Sequence, residues 1–399
     1  MKLWRRNLIV CWIGMFATGI GMSQIAPILP LYIKHLGISN TESIAELSGI
    51  AFGVTFIVSA IFSPIWGYAA DKVGRKPMLL RASLGMSIVI GSMGFAPNVY
   101  VLIALRALQG AITGYSTACT TLIATQVPKE HAGYALGTLS TANIAGALIG
   151  PTIGGFISEK FGLQNVFFMT GSMTLFAFIT TVLFVREAFV REDKRPLSMK
   201  EIWTEVPEKS LTVTLFVTFF IITAALYSVE PIVTVYITQL SKTSSHVALL
   251  AGITFSASGL ANIIAAPRLG RLSDKIGAHK VILAALIAAG IIFIPQAFVK
   301  TPYQLIALRF LLGLTLAGLI PSVNILMKKI TPASITGRVF GISTSAGYLG
   351  TFGGSVLGGQ IGAFFGLRYV FFLTSALLLI NAVWVYFRIY NGGVAYEKN

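Results

Sequence analysis

Three charged side chains stand deep inside otherwise apolar stretches of this sequence: Arg106, Glu230 and Arg309. Charge in a membrane-length apolar segment is costly, so each is a functional candidate by default. At 1.5 Å of rise per residue, all three sit roughly 10 to 12 Å from one end of their stretches, at a similar level. Glu230, in Tyr227-Ser228-Val229-Glu230-Pro231, is the only acid deep in any such stretch. A carboxyl group that alternates between water and a closed site, with or without Arg309 beside it, can load and release a proton. This makes Glu230 the proton-coupling candidate. The competing reading is a permanent Glu230–Arg309 pair that ties two helices together. Enzyme chemistry finds no comparable set: there is no HExxH pair, no paired-carboxylate site and no triad, and His35, His131, His246 and His279 are scattered near loops. No Walker-A sequence is present, so ATP is not expected as the driver, and no metal or cofactor is expected.

The elements that must position these residues follow from composition. Of 399 residues, 55% are hydrophobic and 11% charged, against roughly 25% charged in a soluble domain. Mean hydropathy is +0.79. Soluble, disordered and disulfide-scaffold classes are excluded; Cys11 and Cys119 both fall in apolar stretches and read as packing residues. The net charge of +16 is spread between apolar runs and not gathered on one arm, which argues against nucleic acid. Twelve apolar stretches can be read: 8–33, 47–69, 78–96, 99–123, 134–158, 164–185, 211–238, 247–269, 279–298, 303–327, 338–362 and 368–389. The first is too long for a signal-peptide core and lacks a small-residue cleavage site after it. Alternate connections collect 23 Lys and Arg residues on one side and 5 on the other. Basic residues mark the cytoplasmic face, so both termini are expected there, in a cell membrane.

The chain also repeats itself at an offset near 204. LIALRALQG at 102–110 matches LIALRFLLG at 305–313, GYAADKVG at 67–74 matches GRLSDKIG at 270–277, and Gly146, Gly150, Gly154 and Gly155 match Gly350, Gly354, Gly358 and Gly359. Two homologous six-helix bundles are therefore expected, 1–185 and 211–399, joined by a cytoplasmic linker at 186–210 with six basic and six acidic residues. Parallel repeats of this kind imply a cavity between the halves that is exposed to each side in turn.

GYAADKVGRKPMLL after the second stretch, LIALRALQGAITG in the fourth and GALIGPTIGG in the fifth resemble motifs of the major facilitator superfamily, and the last resembles the Gly-Pro motif of its twelve-span drug/proton antiporters. ATQVP at 124–128 and GTLST at 137–141 are similar to a multidrug-efflux branch. The resemblance covers essentially the whole chain. It implies an all-α polytopic membrane protein with spans one, four, seven and ten lining the cavity. It implies a conformational latch at Gly67, Asp71, Gly74, Arg75 and, in the second copy, Asp274, where Ala278 and His279 replace the Arg-Lys pair. It implies a hinge or seal at Gly146, Gly150, Pro151, Gly154 and Gly155; Ser355 stands where the second copy would have its proline. For Arg106 it implies a part in proton transfer or in organising the cavity, beside the plainer reading of a buried guanidinium bonded to neighbouring carbonyls. Read from the residues alone, Gly67 allows close helix approach, the glycine stripe offers a packing surface and Pro151 removes a backbone donor.

Polar and aromatic positions expected to line the cavity are Gln24, Gln109, Thr113, Tyr115, Asn143, Tyr227, Phe255, Asn262, Asn324 and Tyr348, each of which also has a plain packing reading. A roomy apolar cavity with few polar groups suits amphipathic molecules better than sugars. The function expected is proton-coupled efflux of amphipathic drugs by a monomer in the lipid bilayer, powered by a proton gradient. Export of a specific metabolite, sugar or lipid is the alternative, and a non-transporting sensor a further one.

Overall fold

Three prolines and one glycine decide where the helices break. The computed structural model describes residues 3–187, 189, 199–241, 246–332 and 335–390, and among them every regular element is helical. Twelve helical spans follow one another, each covering one of the apolar stretches. Eight are unbroken over most of their length: Thr41–Val73, Arg75–Met93, Ala132–Phe161, Leu163–Phe184, Val247–Ile276, Ala278–Gln296, Thr336–Phe364 and Leu367–Val385. The other four are interrupted. Span one is Leu3–Ser23 with Ile25–His35, bent by 42°. Span four is Val99–Ile112 with Tyr115–Gln126, span seven is Lys209–Val229 with Val233–Leu240, and span ten is Pro302–Leu316 with Leu319–Ile330. Seven helices are long and apolar enough to cross a membrane by length and composition alone, and eight if the bent pair counts as one.

The breaks fall at equivalent places of the repeat. Pro27 and Pro321 each lie just beyond a break and Pro231 lies within one; a proline has no N–H for the carbonyl four residues back and crowds it. The fourth break lies at Thr113-Gly114, where Gly114 has φ +123°, a conformation open to glycine and strained for other residues. Thr113-Gly114 and Ala317-Gly318 are 204 residues apart, as are Pro27 and Pro231.

The chain forms two compact units, Met1–Asp193 with Val233–Ser256, and Lys194–Ile232 with Ala257–Asn399. The sequence division assigns Val233–Ser256 to the second half; in the structure this segment packs within the first unit. Residues 188 and 190–198 of the expected linker lie outside the described residues, and Met199–Glu205 within it is a short helix.

In the first unit, span five packs its glycines onto span one. A Cβ at Gly146 would stand 2.7 Å from the Phe16 carbonyl oxygen, and one at Gly150 would stand 2.6 Å from that of Ile20. In the second unit Gly350, Gly354 and Gly358 meet Phe220, Ala224 and Ser228 of span seven, the same contacts 204 residues on. The pairing of spans three and six is likewise repeated by spans nine and twelve, with the partners exchanged. Ser87 donates to the Gly171 carbonyl at 2.8 Å, whereas Ser375, the mate of Gly171, donates to the carbonyl of Gly290 at 2.7 Å. Small residues and serine hydroxyls suit helix pairs in lipid, where close backbone approach supplies the contact energy.

Candidate functional site

Within the second unit, Glu230 opens the 3-10 turn Glu230–Ile232 that interrupts span seven. The turn is there because Pro231 cannot continue the helical ladder. Glu230 is half-buried and close enough to Arg309 and Tyr227 to interact electrostatically; Tyr227 is in similar reach of Tyr348. Arg309 is buried at 5% exposure, 6.0 Å from the Phe293 ring centre. Its Nε and Nη2 have no hydrogen-bond partner, and no ion pair joins it to Glu230 among the described residues. The structure thus groups Glu230, Arg309, Tyr227 and Tyr348 around one break, with a guanidinium whose donors are unused.

Arg106, in the first unit, is differently placed. Its Nε donates to the Ala51 carbonyl at 2.9 Å, and its Nη1 donates to Gln109 Oε1 at 2.8 Å. Gln109 Nε2 in turn reaches Met22 Sδ at 3.0 Å. Spans two and four are in close contact here: Thr55 Oγ1 donates to the Arg106 carbonyl at 3.0 Å and Ser59 Oγ to that of Gly110 at 3.1 Å. The geometry has the form of the plainer sequence reading, a buried guanidinium held by carbonyls.

One turn on, the span-four break leaves carbonyls that other spans complete. Trp66 Nε1 donates to the Ala111 carbonyl at 2.6 Å and Arg81 Nη2 to that of Thr113 at 2.9 Å, while the Arg81 guanidinium lies 3.7 Å from the Trp66 ring centre. Sequence reasoning counted Arg81 only as a topology charge. The signal that was available is a basic residue six positions inside a helix beginning at Arg75.

The loop motif is built around Gly74, whose φ of +95° ends span two. Asp71 accepts from Arg75 Nη2 at 2.5 Å, one helical turn away and on the surface. Glu187, just past span six, accepts from the backbone N–H groups of Arg75 at 2.9 Å and Lys76 at 2.7 Å. Its carboxylate therefore caps span three at the dipole's positive end. Glu187 had no sequence signal, because nothing in its spacing points to a loop more than a hundred residues away. Gly67 is exposed, with nothing within 4 Å of where a Cβ would be, so the close approach expected of it is not in use in this structure. Asp274 is exposed as well.

The Gly-Pro motif has two packed faces. Gly146, Gly150 and Gly154 lie on span one; Gly155 and Pro151 lie against Ala248 and Gly252 of Val233–Ser256 in the same unit. Among the positions expected to line a cavity, several are turned into helix contacts. Gln24 is fully buried, and its amide donates to Thr170 Oγ1 of span six. Tyr115 is 2% exposed and shares a hydrogen bond with Thr181 at 3.2 Å. Thr113, Phe255, Asn262 and Asn324 are half-buried, and Asn143 is exposed.

Comparison with known proteins accounts for this architecture. The family model of the Major Facilitator Superfamily matches residues 11–253 and 215–394. The chain is 43% identical over 384 residues to the multidrug resistance protein MdtG of Rahnella sp. (strain Y9602), covering 96% of this chain and 93% of that one. It is 42% identical over 382 residues to MdtG of Klebsiella pneumoniae (strain 342), covering 96% and 93%. The crystal structure of the human organic anion transporter MFSD10 (TETRAN) shares the fold at a TM-score of 0.71 and 17% identity, over 96% of this chain and 100% of that one. The chain belongs to the Major Facilitator Superfamily, as a multi-pass membrane transporter and not an enzyme.

Proposed function

We propose that the chain is a proton-coupled exporter of amphipathic drugs that works by alternating access. The observation that carries this reading is Glu230, a half-buried acid at a proline-induced break, beside an arginine whose donors are unused. In water that carboxylate is ionised. Enclosed in apolar surroundings it takes up a proton, and brought against the guanidinium it gives that proton up, so a movement that changes its surroundings loads and releases the proton. Tyr227 and Tyr348 offer aromatic surface and hydroxyls to the same place. The relatives named as multidrug resistance proteins support drugs as the cargo.

In this reading the two sequence repeats, 1–185 and 211–399, rock about a cavity between them. The loop motif at Gly67, Asp71, Gly74 and Arg75 latches one state, and the Gly-Pro face of span five seals the opposite end. The basic side of the topology faces the cytoplasm with both termini. A monomer suffices, and the proton gradient takes the place of any bound cofactor. A susceptibility panel with and without expression, repeated with a protonophore, tests this. Resistance to several chemically unrelated amphiphiles that the protonophore abolishes is the expected result. Resistance untouched by the protonophore removes the proton from the account, and no resistance to any amphiphile removes the cargo.

A further inference from the structure

Glu159 stands near the end of span five, at the opposite end of the first unit from Asp71 and Arg75. Each of its carboxylate oxygens has a partner on the segment Val233–Ser256. Oε1 accepts from the Leu249 backbone N–H at 2.9 Å, and Oε2 is bonded to His246 Nδ1 at 2.9 Å. The first turn of a helix has N–H groups without internal partners. Span two fills that need locally: Asn40 Oδ1 accepts from the Glu42 N–H at 3.0 Å. Span eight borrows its cap from another span. His246 has φ +65°, which no other non-glycine residue among the described ones shares in sign, so its ring is held toward Glu159 by a backbone turn that is itself strained.

Beneath this pair runs a seam of small residues. Gly155 lies on the Ala248 carbonyl and Gly252 on that of Pro151. Ser256 Oγ donates to the Leu148 carbonyl at 2.6 Å and accepts from Thr152 Oγ1 at 2.8 Å. Above it opens a cleft of about 440 Å³, lined by Lys34, His35, Glu159 and His246 among others. The His246 side chain is 71% exposed and that of Glu159 23%. The equivalent of Glu159 in the second repeat is Ala363, so the device exists once.

We propose that Glu159 and His246 form a clasp that positions span eight against span five, and that this clasp must open before the seam beneath it can part. It rests on the alternating-access reading only for its purpose; as a mechanical contact it stands or falls alone. Glu159 is a positioning residue here, touching neither proton site nor cargo.

The test uses the full chain with Ser256→Cys as reporter. A membrane-impermeant maleimide is applied to intact cells and to inverted vesicles, without any substrate. Glu159→Ala and His246→Ala are each expected to raise the labelling rate at least fivefold from one side only. Glu159→Asp is expected to bring it back toward the parent rate. The double variant should label no faster than Glu159→Ala alone, because the His246 contact is already lost with the Glu159 carboxylate. His246 is largely exposed, so its variant keeps the packing intact even where Glu159→Ala folds poorly. Unchanged labelling in His246→Ala, or additive rates in the double variant, would overturn the clasp. Faster labelling in a protein that confers no drug resistance would leave the clasp standing and remove the proposed function instead.

Discussion

Arg106 and Arg309 occupy matching positions 203 residues apart, yet only Arg106 has hydrogen-bond partners for its guanidinium among the described residues. The repeat therefore places two arginines at equivalent positions and uses them differently. Arg106 holds spans two and four together; Arg309 faces Glu230 with donors unused. Hydrogen bonds from a charged donor are worth about 1.5–3 kcal/mol each. Arg106→Ala should therefore lower the melting temperature of the detergent-purified protein by several degrees and reduce transport with it. Arg309→Ala should leave the melting temperature within a degree or two while transport falls at least tenfold. Equal loss of stability in both variants would contradict this division.

Glu230→Gln keeps shape and removes the ionisable group. Dye uptake into inverted vesicles, driven by an imposed proton gradient, should drop at least tenfold in this variant. Glu230→Asp, with a shorter but ionisable side chain, should keep a measurable part. Full gradient-driven uptake by Glu230→Gln would exclude this carboxylate as the proton carrier.

What was legible in the sequence, and what was not, divides on physical grounds. Hydropathy placed all twelve spans because a membrane-spanning helix must be apolar along its length. The repeat foretold equivalent contacts, and Gly110 on Thr55 and Gly313 on Ser258 are one such pair. Polarity within a span, by contrast, does not encode direction. Gln24 and Tyr115 carry both a cavity and a packing reading in the sequence; in the structure they face Thr170 and Thr181 inside the bundle, because a polar group in lipid needs a partner wherever one is offered. Arg81, Glu159 and Glu187 complete backbone groups of distant segments, and no spacing rule reaches across such separations.

Glycines of the two motifs should respond in opposite ways. Alanine at Gly358 would drive a methyl into the Ser228 carbonyl, and at Gly150 into that of Ile20. These are backbone atoms that cannot swing aside, so both variants should lose folded protein, read as reduced monodisperse yield after solubilisation. Gly67→Ala meets open space and should fold like the parent. If the loop closes on another helix in a different state of the cycle, this same variant should still slow transport. Parent-like turnover in Gly67→Ala would mean that no such approach occurs.

The loop motif separates stability from mechanism in the same way. The Asp71–Arg75 pair is local, with Asp71's side chain 69% exposed. Surface pairs of this kind are worth about 0–1 kcal/mol, so Asp71→Asn should barely move the melting temperature. Glu187 is half-buried and accepts from two first-turn N–H groups at a helix's positive end. Loss of a cap costs about 0.5–2 kcal/mol, so Glu187→Ala should lower the melting temperature by a few degrees and loosen Val185–Glu187 from span three. Limited proteolysis between spans six and seven reads the second effect directly. If Asp71 works as a latch in another state, Asp71→Asn will transport slowly with unaltered stability, whereas Glu187→Ala will lose both together. A transport defect in Asp71→Asn that merely tracks a loss of stability would make Asp71 a structural residue like Glu187 and move the latch elsewhere.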